Sequence, residues 1–124
     1  MSRVLPLLLL WLCAGCSREA SYRAVVEEQI AAWKEMTQLL ETVKDQPSME
    51  AARARLQALS ARYGSIAERA RKLGRPGPEI QESLQGEIER LGLVLREARR
   101  EMSRIRDLPG GVAFLEELDG LSPK

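Results

Sequence analysis

Histidine is absent from this chain, which removes the commonest acid/base side chain and, with it, every His-dependent triad, zinc motif and Glu-x-x-His di-iron site. Cysteine is nearly absent too. Its two copies, Cys13 and Cys16, stand close together near the start, so the remainder has no thiol for a disulfide or a nucleophile. Aromatic residues are few, two Trp, two Tyr and one Phe, which favours helices packed through Leu, Ile, Val and Ala over a β-sandwich. Neither sign of charge dominates: 19 Lys and Arg face 18 Asp and Glu, and no bulk field draws in nucleic acid. A phosphate-binding loop and a G-x-S-x-G elbow are both missing. Any catalysis would rest on carboxylates alone. The best of them, Glu79, Glu82, Glu87 and Glu89, fall in the first turns of a predicted helix, where the macrodipole already favours acidic residues. No catalytic residue, cofactor or metal site is expected.

What is present begins with an address. Arg3 provides a weakly basic start, and the apolar run from Val4 to Leu12 is too short for a membrane-spanning helix, which needs about 20 residues. The stretch ends in Cys13-Ala14-Gly15-Cys16, which resembles the lipobox of bacterial lipoproteins, departing from it at Cys13, where an aliphatic residue is usual. The resemblance implies a signal peptide over residues 1–15, with Cys16 diacylated as the new N-terminus. Ser17 follows rather than Asp, which is similar to lipoproteins sorted to the outer membrane. Each buried methylene contributes about 0.8 kcal/mol, so several acyl chains would hold the protein to a bilayer durably. Residues 16–20 are expected to be the acylated start and a short tether.

Residues 21–107 read as helices. The second of them sets the frame: Met49, Ala52, Leu56, Leu59, Tyr63, Ile66, Ala70 and Leu73 alternate at three- and four-residue spacing, the a/d seam of a heptad helix. Before it, Tyr22, Val26, Trp33, Met36, Leu40 and Val43 hold the same spacing, with Gln29 at one seam position and Val25, Ile30 and Leu39 widening the stripe. After it, Leu84, Ile88, Leu91, Leu95, Ala98, Met102 and Ile105 form the seam of one helix from about Pro78 to Arg106. Asp45-Gln46-Pro47-Ser48 separates the first pair, with Asp45 or Ser48 able to cap. Gly74-Arg75-Pro76-Gly77-Pro78 separates the second pair, as a glycine C-cap and then a proline suited to a first turn.

Antiparallel layers can be laid out about both loops. Helices two and three pair from Met49/Ile105 through Leu59/Leu95 to Leu73/Gln81, and helices one and two from Val43/Met49 through Trp33/Leu59 and Gln29/Tyr63 to Tyr22/Ala70. Arg55, Arg62 and Arg69 would then face Glu101, Val94 and Glu87. The expected fold is therefore all-α: an antiparallel up-down-up three-helix bundle, coiled-coil-like, with every layer filled by side chains and no room for a small molecule. It resembles spectrin-like three-helix coiled coils in architecture only.

Two surfaces stand out. Leu91 to Leu95 (LGLVL) is apolar on every side, with Leu93 and Val94 directed away from the seam. After the Leu108-Pro109-Gly110-Gly111 break, residues 108–124 hold a short amphipathic segment with Val112, Phe114, Leu115, Leu118 and Leu121, expected to fold back and cover that stretch. Arg96, Arg100 and Arg104 make a ridge at helical spacing, with Glu97 and Glu101 beside it to neutralise it. Leu93, Val94, Phe114, Leu118, Arg96, Arg100 and Arg104 are the candidate partner surface. The expected role is a lipid-anchored envelope protein at the periplasmic face of the outer membrane: a non-catalytic helical interaction or assembly module with a protein partner and no small-molecule substrate. The alternative is a ligand- or lipid-binding envelope sensor or carrier.

Overall fold

A computed structural model describes the backbone of residues 5–120 and the side chains of residues 18–119. Among these the regular structure is entirely helical: α1 (Leu5–Glu41), α2 (Gln46–Leu73), α3 (Pro78–Ser83), α4 (Gln85–Arg106) and α5 (Gly111–Gly120), packed together. No helix among the described residues is long and apolar enough to cross a membrane. The backbone of α1 runs without a break through residues 16–20, where a tether is expected.

The boundaries follow from local chemistry. Asp45, extended at φ −157°, accepts a hydrogen bond from the Ser48 amide at 2.9 Å, and the Ser48 hydroxyl closes a reciprocal capping box, with Pro47 in the first turn. That amide, and then the Ser48 hydroxyl, hold the Asp45 carboxyl below its ordinary pKa. Gly74 ends α2 at φ 77°, a left-handed conformation that glycine adopts without a Cβ penalty. Pro78 opens α3.

The helix expected from Pro78 to Arg106 is instead two. Leu84, at φ −100° and ψ 7°, separates α3 from α4 while burying its side chain almost completely. Gly86 follows at once, and a Cβ there would meet nothing within 4 Å, so its role is not packing.

Direction is fixed by cross-helix pairs. Tyr22 donates to the Leu73 carbonyl, Arg69 pairs with Glu28, and Arg62 with Glu35, at sequence separations of 51, 41 and 27 residues. Shrinking separations mean that α1 and α2 are antiparallel. Arg23 pairs with Glu87, and Arg104 donates to the carbonyls of Val43 and Leu40, at separations of 64, 61 and 64. Near-constant separations mean that α1 and α4 are parallel.

The helix at the centre is α1, not α2. Both α2 and α4 lie along α1, whereas α2 and α4 scarcely approach each other. The seam expected between Leu59 and Leu95, or Tyr63 and Leu91, is accordingly left ajar: Leu91 and Leu95 are only half-buried and Ile88 is 44% exposed. Nor do the α2 arginines reach α4. Arg62 and Arg69 turn to Glu35 and Glu28 of α1, while Glu87 receives Arg23 and Glu101 receives Arg104. The pairing of α1 with α2 is also shifted, since Trp33 meets Tyr63 edge to face at 4.9 Å where Gln29 is the expected partner. Ala32, Ser60 and Gly64, all buried, are small residues near this level.

α5 occupies one end of the gap between α2 and α4. Phe114 is 3% exposed in a core with Met36, Leu40, Val43, Met49, Leu56 and Ile105, and Leu115 and Leu118 pack on it. Glu117 reaches Arg53 of α2 at 3.3 Å. The segment folds back as expected, but onto this core rather than over LGLVL, and Leu93 stays 58% exposed. The turn before it demands glycine twice. Gly110 has φ 78°, and a Cβ on Gly111 would lie 1.7 Å from the Ile105 carbonyl oxygen.

Candidate functional site

The surface expected to meet a partner divides into three groups. Leu93, Arg96 and Arg100 share the outward side of α4 and are exposed. Among the described residues neither Arg96 nor Arg100 has a carboxylate in ion-pair range, because Glu101 turns to Arg104 at 2.8 Å. The ridge is thus less neutralised than its neighbours in sequence imply. Val94 and Leu118 are half-buried.

Arg104 and Phe114 do not belong to that surface. Arg104 directs Nη1 to the Val43 carbonyl at 2.7 Å, Nη2 to the Leu40 carbonyl at 2.9 Å and Nε to Glu101 at 2.8 Å. Carbonyls at a helix C-terminus have no intrahelical donors, so this side chain closes the end of α1. Phe114 is core. Cys16 carries the proposed acylation, and its side chain lies outside the described residues.

The expectation that every layer is filled is corrected by a cavity of about 150 Å³ where α1, α2, α4 and α5 meet. It exists because α2 and α4 stand apart while α5 roofs only one end of the gap. Apolar walls come from Met36, Leu40, Met102, Leu115 and Leu118, polar ones from Ser60, Tyr63, Arg106 and Asp119. Trp33 completes the lining, and its Nε1 is buried with no hydrogen-bond partner. An indole N–H in that state forgoes the bond it would make in water. Ser60, a small residue beside the α2 seam, is the lining residue that the seam pattern passes over.

The four carboxylates singled out in the sequence do not converge on one place. Glu79, Glu82 and Glu89 are exposed, and Glu87 is engaged by Arg23 at 2.6 Å. Near the same end, Glu19 is held below its ordinary pKa first by the Ser83 hydroxyl and then by Arg23. No acidic or thiol cluster able to hold a metal occurs among the described residues. No family model, curated protein or solved structure matches the chain.

Proposed function

We propose that this protein is a lipid-anchored, non-catalytic interaction module at the periplasmic face of the outer membrane, built on an up-down-up core of three long helices. The observation that carries the reading is the run Val4 to Leu12 followed by Cys13-Ala14-Gly15-Cys16, in a chain with no other cysteine. Acylated Cys16 is the tether. Exposed Leu93 with Arg96 and Arg100, which share its side of α4, is the surface offered to a protein partner. An exposed leucine flanked by unpaired guanidinium groups suits a partner whose patch has an apolar centre and an acidic rim.

Metabolic labelling with an alkyne palmitate tests the tether. Wild-type protein takes up label and Cys16→Ser stays dark; equal labelling of both overturns the anchor. For the surface, crosslinking in intact membranes should recover a protein that Leu93→Arg loses while keeping its helicity. Recovery unchanged by that substitution overturns the assignment of the surface.

A second reading, a small-ligand carrier or sensor, is favoured by one observation, the cavity against Trp33. A carrier would bind its ligand irrespective of Leu93, which separates the two.

A further inference from the structure

We propose that the gap between α2 and α4 is a docking groove for an acidic amphipathic helix of a partner protein, which takes the place that α5 holds. α5 displays the chemistry of the occupant. Its ten residues include Glu116, Glu117 and Asp119 and no Lys or Arg. Its apolar side brings Phe114, Leu115 and Leu118 to the core, and Glu117 meets Arg53 of α2 at 3.3 Å. At 1.5 Å per residue α5 covers only about 15 Å of a gap that α4, with 22 residues, borders for about 33 Å.

Burial changes where α5 ends. At its own level the seam residues Met36, Leu40, Met49, Leu56 and Ile105 are buried. Toward the Tyr22 end, Val26, Gln29, Leu91 and Leu95 are only half-buried and Ile88 is 44% exposed, until Leu84 is buried again at the start of α4. These are seam positions, which a complete bundle covers. Between the two levels lies the cavity of about 150 Å³. A longer amphipathic helix would fill the cavity and cover the open seam together.

The rim sets the sign of the occupant's charge. Arg99 and Arg106, seven residues apart, share a side of α4 and are exposed, and Arg106 borders the cavity. Among the described residues neither has a carboxylate in ion-pair range. Arg53 stands on the opposite wall and already holds Glu117. Carboxylates along a docked helix would meet guanidinium groups on both walls. Leu93 lies two residues, about 200° around α4, from both Leu91 and Leu95, so the groove is a different surface from the one around Leu93.

The protein as cells produce it is purified, and held in zwitterionic lipid nanodiscs where palmitate labelling shows an anchor; the groove does not involve Cys16. The probes are two fluorescent peptides of about three heptads, with Leu at a and d, Ala elsewhere, and either Glu or Lys at e and g. Binding is read by anisotropy against empty discs. The glutamate peptide should bind saturably and about tenfold more tightly than the lysine peptide, as a few exposed ion pairs imply. Arg99→Glu with Arg106→Glu, at exposed sites, should abolish that preference. Phe114→Ala, which loosens α5, should tighten binding of the glutamate peptide about tenfold, because less of the protein is held in the occupied state. Leu95→Gln should weaken both peptides and Leu93→Arg neither. Absence of saturable binding, equal binding of the two peptides, or affinity unchanged by Phe114→Ala overturns the proposal. Binding lost in Leu93→Arg and kept in Leu95→Gln overturns it as well, while leaving the surface around Leu93 as the docking face.

Discussion

Arg104 commits all three nitrogens of its guanidinium to partners within the fold, and its role differs accordingly from that of Arg100 and Arg96, one and two turns earlier. The planar fork reaches the Leu40 carbonyl in the last turn of α1 at 2.9 Å and the Val43 carbonyl just beyond the helix at 2.7 Å. Tyr22 does the same at the opposite end, where its hydroxyl donates to the Leu73 carbonyl at 2.6 Å and so closes α2. Charge-assisted hydrogen bonds of a partly exposed group are worth about 1 to 2 kcal/mol after allowance for solvent screening. Arg104→Ala should lower unfolding free energy by about that amount in urea titration. Arg104→Lys should recover less than half, because an ammonium cannot serve both carbonyls in the fork geometry. Arg96→Ala and Arg100→Ala should leave stability nearly unchanged. A null effect of Arg104→Ala would return it to the surface ridge.

Among the elements, α5 is the one whose loss the rest should survive. It is short, joined through Gly110 and Gly111, and held chiefly by Phe114, Leu115, Leu118 and the Arg53 to Glu117 contact. Removing Phe114 from a packed site costs about 3 to 5 kcal/mol in general, and a Cβ forced against the Ile105 carbonyl costs about 1 to 3 kcal/mol. Neither loss can exceed the free energy with which α5 docks, since the helix can release while α1, α2 and α4 stay packed. Phe114→Ala and Gly111→Ala should therefore be strongly non-additive, the double variant being no less stable than the worse single one. Hydrogen exchange over residues 112–119 should rise to the same plateau in all three. Additive losses with exchange rising throughout the molecule would show α5 to be integral to the core. The ends of these elements were legible in sequence, because Asp45 with Ser48, Gly74, Pro78 and Gly110-Gly111 act through their own backbones. The order of packing was not. A heptad seam is satisfied by any apolar neighbour, and the arginines at 62 and 69 find carboxylates on α1 as readily as on α4. The break at Leu84 was hidden for a related reason: its residue is apolar and buried, and only Gly86 hinted that the helix does not run straight through.

For the whole molecule, α1 as the central rod sets how the protein stands relative to its proposed anchor. The helix is continuous from Leu5 to Glu41, so no slack chain separates Cys16 from the packed region. At 1.5 Å per residue, Trp33 lies roughly 25 Å along the axis from Cys16, and Val43 and the α5 core lie about 40 Å away. The chain left by the proposed cleavage, without Arg3, would have Lys and Arg equal in number to Asp and Glu, so no net attraction would lay the rod flat on an anionic surface. With Cys16 acylated as proposed, the end bearing Tyr22, Leu73 and Leu84 would be the bilayer-proximal one, and the cavity under α5 would stand about 25 Å or more from the bilayer. Acylated protein in bilayers with brominated acyl chains tests this arrangement, because the proposed cleavage would remove Trp11 and leave Trp33 as the emitter. Its fluorescence should match that in unbrominated bilayers, while a fluorophore placed at Arg18 is quenched. Quenching of Trp33 would mean that the rod lies along the membrane, and the Arg96 and Arg100 face of α4, with its exposed Leu93, would then be the surface in contact with lipid headgroups rather than with a protein.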